Sequence, residues 1–325
     1  MTVPAQAGEQ KSTKTELSRK AYELGIDHAR FNLRRPRAGS LPVEFFRGYD
    51  SYRGRKKATR NWAVNKWLAL RLSALKRDFI LTDDISPDFL EGIRPATCPV
   101  TLVALTTGTG TETDCSIDRL ISNGAYARGN LVAMSAKANN AKGDLTFDEV
   151  LENASKPAPQ NGLSQKEWAR LLTLMFGAEA HANGNRRTTH VPLCTAIPHH
   201  IYFQPTQLFQ EMLLAEARES NILTKPFWRE KTLQCLGESR LYDATYQALK
   251  AEFARCEYAY DAWFNMTPFE PYLRWFSAME PHLARYLQNW NQAHHERNRH
   301  QEKYALSWAI DTQGKAHQPT CSGPG

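Results

Sequence analysis

Residues Cys98 to Asp144 read CPVTLVALTTGTGTETDCSIDRLISNGAYARGNLVAMSAKANNAKGD, and the order of apolar, polar and turn residues in them sets the expected fold. Ile117-Asp118-Arg119-Leu120 ends a first short strand, and Ser122-Asn123-Gly124 follows as a turn. Gly129-Asn130 opens a second strand over Leu131-Val132-Ala133-Met134. Ser135 then starts a helix carrying Asn139, Asn140 and Lys142. Two strands and one helix would bring a few polar residues to the place where the three meet.

On the N-terminal side the chain is strongly basic. Arg30 to Arg77 holds fourteen Lys and Arg against two acids, Glu44 and Asp50, a net of +12 in a chain whose total is +7. That asymmetry points to a polyanionic partner. The candidate contacts are Arg34, Arg35, Arg37, Arg53, Arg55, Lys56, Lys57 and Arg60. Phe31, Phe45, Phe46, Tyr49 and Tyr52 are interleaved with them. Such mixing suits phosphate contacts beside base or sugar packing, and suits equally an irregular segment anchored on a core. Asn61 to Phe79 has helical spacing through Val64, Trp67, Leu68, Leu72 and Leu75, with Trp62 and Trp67 read as core. Residues 16–24 form a short helical pattern that Gly25 would end, and residues 1–15 a polar tail.

Beyond Asp144, a helix is expected over Thr146 to Ala154, then a linker, SKPAPQNG, over 155–162. Ser164 and Glu167 form a capping box ahead of Trp168, Leu171, Leu172 and Met175. Further helices are expected around Leu208–Leu213, from Ser239 to Phe264, and after Pro281 with Leu283, Tyr286, Leu287 and Trp290. HVPLCTAIPHH (190–200) has no zinc-site spacing, and HHERNRHQEK (294–303) reads as a solvated helix face.

A chain of 325 residues with 42% hydrophobic content can bury a substantial core. Its six cysteines form no CxxC pair, which fits free thiols in a reducing cytoplasm. No apolar run approaches a membrane span, and the polar N-terminus lacks a signal-peptide pattern. The expectation is a soluble, cytoplasmic protein without a membrane partner.

Residues 98–144 resemble the HNH endonuclease, or ββα-metal, family in its bacterial and phage branch with an S-[IL]-D-R-[IL] strand. The residues that carry the resemblance are Ser116-Ile117-Asp118-Arg119-Leu120, Gly124 with Tyr126, Gly129-Asn130, Asn139-Asn140-Ala141-Lys142, and the Cys98-Pro99-Val100-Thr101 lead-in. The resemblance implies a metal-dependent endonuclease acting on double-stranded DNA, with Mg²⁺ as the ion and Mn²⁺ as its substitute. It makes Asp118 and Asn139 the metal ligands, Asn130 a brace across the turn, and Lys142 a phosphate contact. Arg119 stands where much of the family has a general-base histidine. A guanidinium stays protonated, so Arg119 is left a phosphate or transition-state contact. The base must then be Glu112, Asp114, a histidine outside the module, or water activated by the ion.

Phosphodiester hydrolysis explains these residue types, because a carboxylate on a strand and an oxygen ligand on a facing helix can hold a hard cation with positions left open. Two other readings stand beside it. Asp118 can serve in a structural pair with Arg119 or Lys142, and the module can persist as a structural unit in a nucleic-acid-binding protein that does not cut. The expected fold class is α+β, predominantly α-helical. Its order is a disordered tail (1–15), a basic, mostly helical N-terminal region (16–95), an HNH-like ββα-metal module (96–154), a linker (155–162), a helical C-terminal domain (163–312) and a disordered tail (313–325).

Overall fold

The computed structural model describes residues 6–57, 60–183, 190–219, 227–283 and 307–316. About 54% of the chain is helical, with one two-stranded antiparallel sheet, so the fold is α+β and mostly helical. The chain divides into two compact units. Unit 1 gathers Met1–Arg94, Asn123–Leu131 and Leu306–Gly325, and unit 2 gathers Pro95–Ser122 and Val132–Ala305. The residues of the expected module over 96–154 are shared between the two, with Asn123–Leu131 in unit 1 and the rest in unit 2. Residues 155–162 join elements of one unit and are tied down within it. Gln160 and Leu163 exchange backbone hydrogen bonds at 2.9 Å each way, and Trp168 Nε1 donates to Gln160 O at 3.0 Å.

Unit 1 contains α1 (Gln6–Arg30), α2 (Val43–Ser51), α3 (Trp62–Arg77) and α4 (Pro87–Gly92). Asn61 caps α3 by accepting from Val64 N at 2.9 Å, and Ser86 caps α4 with Pro87 in its first turn. Two expectations need correction here. Helix begins at Gln6, so the tail over 1–15 does not hold from there on. Gly25 does not stop α1, because it serves a helix crossing: a Cβ there would lie 2.0 Å from Phe45 O.

Four of the five interleaved aromatic residues, all but Tyr52, pack on the core. Phe45 is fully buried and Phe31 is 9% exposed, and Phe46 and Tyr49 pack on the same cluster with Ala21, Leu24 and Leu68. Tyr49 Oη donates to Leu33 O at 2.8 Å. Residues 313–316, expected as tail, are also packed. Trp308 is fully buried and donates to Arg128 O at 2.8 Å, and Ile80 N donates to Gly314 O at 2.8 Å. Residues 317–325 lie outside the described residues.

Unit 2 contains β1 (Cys115–Arg119), β2 (Leu131–Ser135, of which Leu131 groups with unit 1), α5 (Ala136–Lys142), α6 (Phe147–Ser155), α7 (Gln165–Ala182), α8 (Pro205–Glu219), α9 (Phe227–Leu236), α10 (Arg240–Phe253), a 3₁₀ turn (Ala259–Trp263) and α11 over 266–283. Capping boxes at Thr146/Glu149 and Ser164/Glu167 start α6 and α7. The helix expected from Ser239 to Phe264 breaks after Phe253. The chain turns so that Asp261 can take Arg170 Nη2 at 2.7 Å. Pro281 lies within α11 rather than in the first turn of a new helix. Residues 284–290 and 294–303 lie outside the described residues. Phe209, Trp228, Tyr242, Trp263, Tyr272 and Trp275 form the core of this unit. The described cysteines are free thiols, and no helix among the described residues is long and apolar enough to cross a membrane.

Candidate functional site

Burial along β1 alternates. Cys115, Ile117 and Arg119 face the core, while Ser116 and Asp118 share the other face, as a two-residue period requires. Ser135 ends β2 and caps α5 by accepting from Ala138 N at 3.2 Å. The C-P-x-T lead-in holds this junction, since Cys98 Sγ accepts from Ser135 N at 3.2 Å and Thr101 Oγ1 lies 3.2 Å from Ser135 Oγ. On α5, Asn139 and Lys142 are three residues apart and so share a face. That face meets β1. Asn139 Nδ2 donates to Ser116 Oγ at 2.8 Å, and Lys142 Nζ lies 3.0 Å from Asp118 Oδ2.

Lys142 is not available for a phosphate contact. Its side chain is 0% exposed, and Nζ donates to Arg119 O at 2.8 Å and Ser122 Oγ at 3.0 Å in addition to pairing with Asp118. Nζ also reaches Gly143 O at 3.5 Å, so the ammonium is enclosed by this chain's own acceptors. Arg119 is corrected on the same ground. Strand alternation sends it to the face opposite Asp118, where it is buried, so it offers no exposed cation. Asp118 is 13% exposed at its side chain, and burial pushes its carboxyl above the usual carboxylate range against the pull of Lys142 and the Arg119 N–H.

Asn130 is buried and donates from Nδ2 to Ala125 O at 2.9 Å, the backbone contact that a brace across the turn makes. Of the candidate bases, Asp114 is committed to its own loop. It accepts from Thr109 N at 3.0 Å, Gly110 N at 2.7 Å, Thr109 Oγ1 at 2.8 Å and Thr106 Oγ1 at 2.9 Å. The Thr109 N–H above all holds its carboxyl down to about 2. Glu112 is exposed, and its side chain has no partner among the described residues.

For a divalent ion, the donor chemistry consists of Asp118 and the Asn139 amide oxygen, whose Nδ2 is the end already used. Asp118 Oδ2 is buried and lacks an aligned hydrogen bond even with Lys142 beside it. Among the described residues, no group of three or more His, Cys, Asp and Glu could hold a metal. An oxygen-only pair fits Mg²⁺ better than zinc, because Mg²⁺ keeps several waters and is commonly held by one or two carboxylates plus substrate phosphate. Sequence reasoning missed Ser116 and Ser122 as partners of this face. The two-residue period places Ser116 beside Asp118, so that signal was present.

The basic candidates fall into two groups. Arg35 makes a two-pronged pair with Asp50 at 3.0 and 2.8 Å, Arg53 Nη1 donates to Asp50 O at 2.5 Å, Arg60 Nη1 donates to Phe31 O at 2.7 Å, and Lys57 Nζ lies 5.5 Å from the centre of the Phe31 ring. Arg34, Arg37, Arg55 and Lys56 are exposed, as is Arg47, and none of their side chains has a partner among the described residues. No family model matches the chain, and no curated protein or solved structure matches it.

Proposed function

We propose that the protein is a metal-dependent endonuclease of the HNH kind that hydrolyses phosphodiester bonds in double-stranded DNA. The observation that carries this reading is the order β1–turn–β2–α5 at the residues that bear the resemblance, with Asp118 and Asn139 on one shared face. Asp118 and Asn139 would hold the ion. When bound, it would polarise the scissile phosphate and stabilise the leaving oxygen. Glu112 is the carboxylate left to accept a proton from water. Arg34, Arg37, Arg47, Arg55 and Lys56 would grip the backbone. Phe31 and Phe45 are turned into the core and Phe46 and Tyr49 pack partly on it, so charge dominates that face, which suits duplex phosphates over splayed single strands.

With Mg²⁺ or Mn²⁺, wild type is expected to cut plasmid DNA and Asp118→Ala to lose roughly 100-fold or more of that rate. Cutting that survives Asp118→Ala removes the site assignment. A second reading, a nucleic-acid-binding protein with the ββα element as a structural unit, is favoured by one observation: the buried Lys142 already neutralises Asp118. Absence of cutting with either metal, together with salt-sensitive binding, selects it.

Reversing charge at Arg34, Arg37, Arg55 and Lys56 tests the grip under both readings. The slope of log affinity against log salt for duplex DNA is expected to flatten by about 0.9 for each phosphate contact removed. An unchanged slope reduces the stretch to ordinary surface.

A further inference from the structure

In unit 2 a cavity of about 250 Å³ lies beside α8 and the loop before it. Leu193, Ile197, Phe203 and Leu208 make its walls apolar, and Glu211 is its carboxylate. His199 is the basic side chain among the described lining residues, which hold no lysine or arginine. Glu211 Oε1 accepts the Tyr260 hydroxyl at 2.9 Å, and Oε2 has no hydrogen bond or ion pair among the described residues. Gln207 cannot answer it. Its Oε1 accepts from Gln204 N at 3.0 Å, and its Nε2 donates to Thr173 O at 2.9 Å. Arg218, two turns along α8, acts on Glu211 only through space, and burial outweighs it, pushing the Glu211 carboxyl upward.

A partly buried carboxylate beside apolar side chains, with one spare oxygen and no ion pair at contact distance, loses solvation that a cation or a strong N–H donor restores. The Phe203 and Tyr260 rings in the lining add faces that attract positive charge. The volume is just under the ~300 Å³ low end of drug-sized pockets, which limits the ligand to a compact molecule. We propose that this cavity binds a small organic cation, a protonated amine on a short apolar or aromatic body. Glu211 is its counter-ion, and the Tyr260 hydroxyl orients the carboxylate. The assignment is independent of nuclease activity.

Benzylamine and its uncharged counterpart benzyl alcohol are the probes, titrated into the full chain and followed by NMR at the Ile197 and Leu208 methyl groups. Benzylamine is expected to saturate these shifts at millimolar concentration, and benzyl alcohol to bind at least tenfold more weakly. Glu211→Gln, which keeps shape and can still meet Tyr260, is expected to weaken benzylamine at least tenfold with circular dichroism unchanged. Tyr260→Phe, which frees the carboxylate to turn, is expected to weaken it less. No saturation by benzylamine overturns the proposal. So does equal binding of the alcohol, or undiminished binding by a folded Glu211→Gln variant.

Discussion

Replacing Lys142 with methionine is expected to destabilise the protein by about 3–5 kcal/mol at neutral pH, as breaking a buried ion pair by removing one partner does. The change leaves the Asp118 carboxylate without its ammonium and withdraws the donor from Arg119 O and Ser122 Oγ. Its pH dependence follows from the direction of the Asp118 shift. In wild type, burial already lifts this carboxyl above its unfolded value, with Lys142 limiting the lift. Removing Lys142 raises the folded value further, while the unfolded one stays near ~3.9. Between those values the folded chain holds a proton that the unfolded chain has released. Stability therefore falls as pH rises, by about 1.4 kcal/mol per pH unit where the difference is a full proton. Urea unfolding should show a smaller loss in Lys142→Met at mildly acidic pH than at neutral pH. Adding Asp118→Asn should recover much of the loss at neutral pH and flatten the pH dependence. A loss that does not change with pH would mean that the lost donor contacts, and not the charge, carry the effect.

The double variant also bears on function. If Asp118 holds an ion, an isosteric amide there keeps the fold and lowers cleavage. If the module is a structural unit of the proposed nucleic-acid-binding protein, the double variant and wild type should show equal DNA affinity. Stability and activity thus part company in one pair of substitutions, which neither single change provides.

The ββα element was legible because each of its boundaries has a local cause: a strand period of two, turn residues between the strands, and Ser135 as a cap. What local pattern could not supply was the role of individual charges. Lys142 reads as a surface cation, since lysine is rarely buried, and only the three acceptors that β1 and its turn bring to it show otherwise. Arg119 reads as a phosphate contact because it stands at the family's histidine position, although strand alternation sends it away from Asp118. The break after Phe253 has no local signal, because the apolar spacing continues; beyond it Asp261 accepts from Arg170, ninety-one positions distant. Gly314 and Ala316 lie in the stretch whose composition resembles a tail, and their backbone groups bond to Ile80 and Asp78, far off in the sequence. Long-range partners decided each of these.

Gly25 shows the same ambiguity at its most costly, because a glycine after a helical pattern reads identically as a stop or as a crossing point. Here α1 and α2 are set so close that each places a glycine against the other's backbone. A Cβ on Gly25 would lie 2.0 Å from Phe45 O and 2.7 Å from Tyr49 N, and one on Gly48 would lie 2.0 Å from Tyr22 O. Backbone cannot swing aside as a side chain can, so the helices must separate. Separation uncovers Phe45, Leu24 and Leu41, all buried in the same cluster. Gly25→Ala is therefore expected to destabilise the protein by roughly 3 kcal/mol or more, at the upper end for an overpacked core. This loss should appear although alanine is the better helix former by about 1 kcal/mol. Gly48→Ala should behave alike. Because both changes force the same separation, the double variant should lose less than the sum of the two. Thermal and denaturant unfolding of the three variants measure this directly. A stabilising Gly25→Ala would restore the glycine to the role of a weak helix end. The crossing also sets the height of α2, which carries Arg47 and the Asp50 that holds Arg35, so under the proposed DNA grip the loss of stability should bring a weaker salt dependence of binding with it.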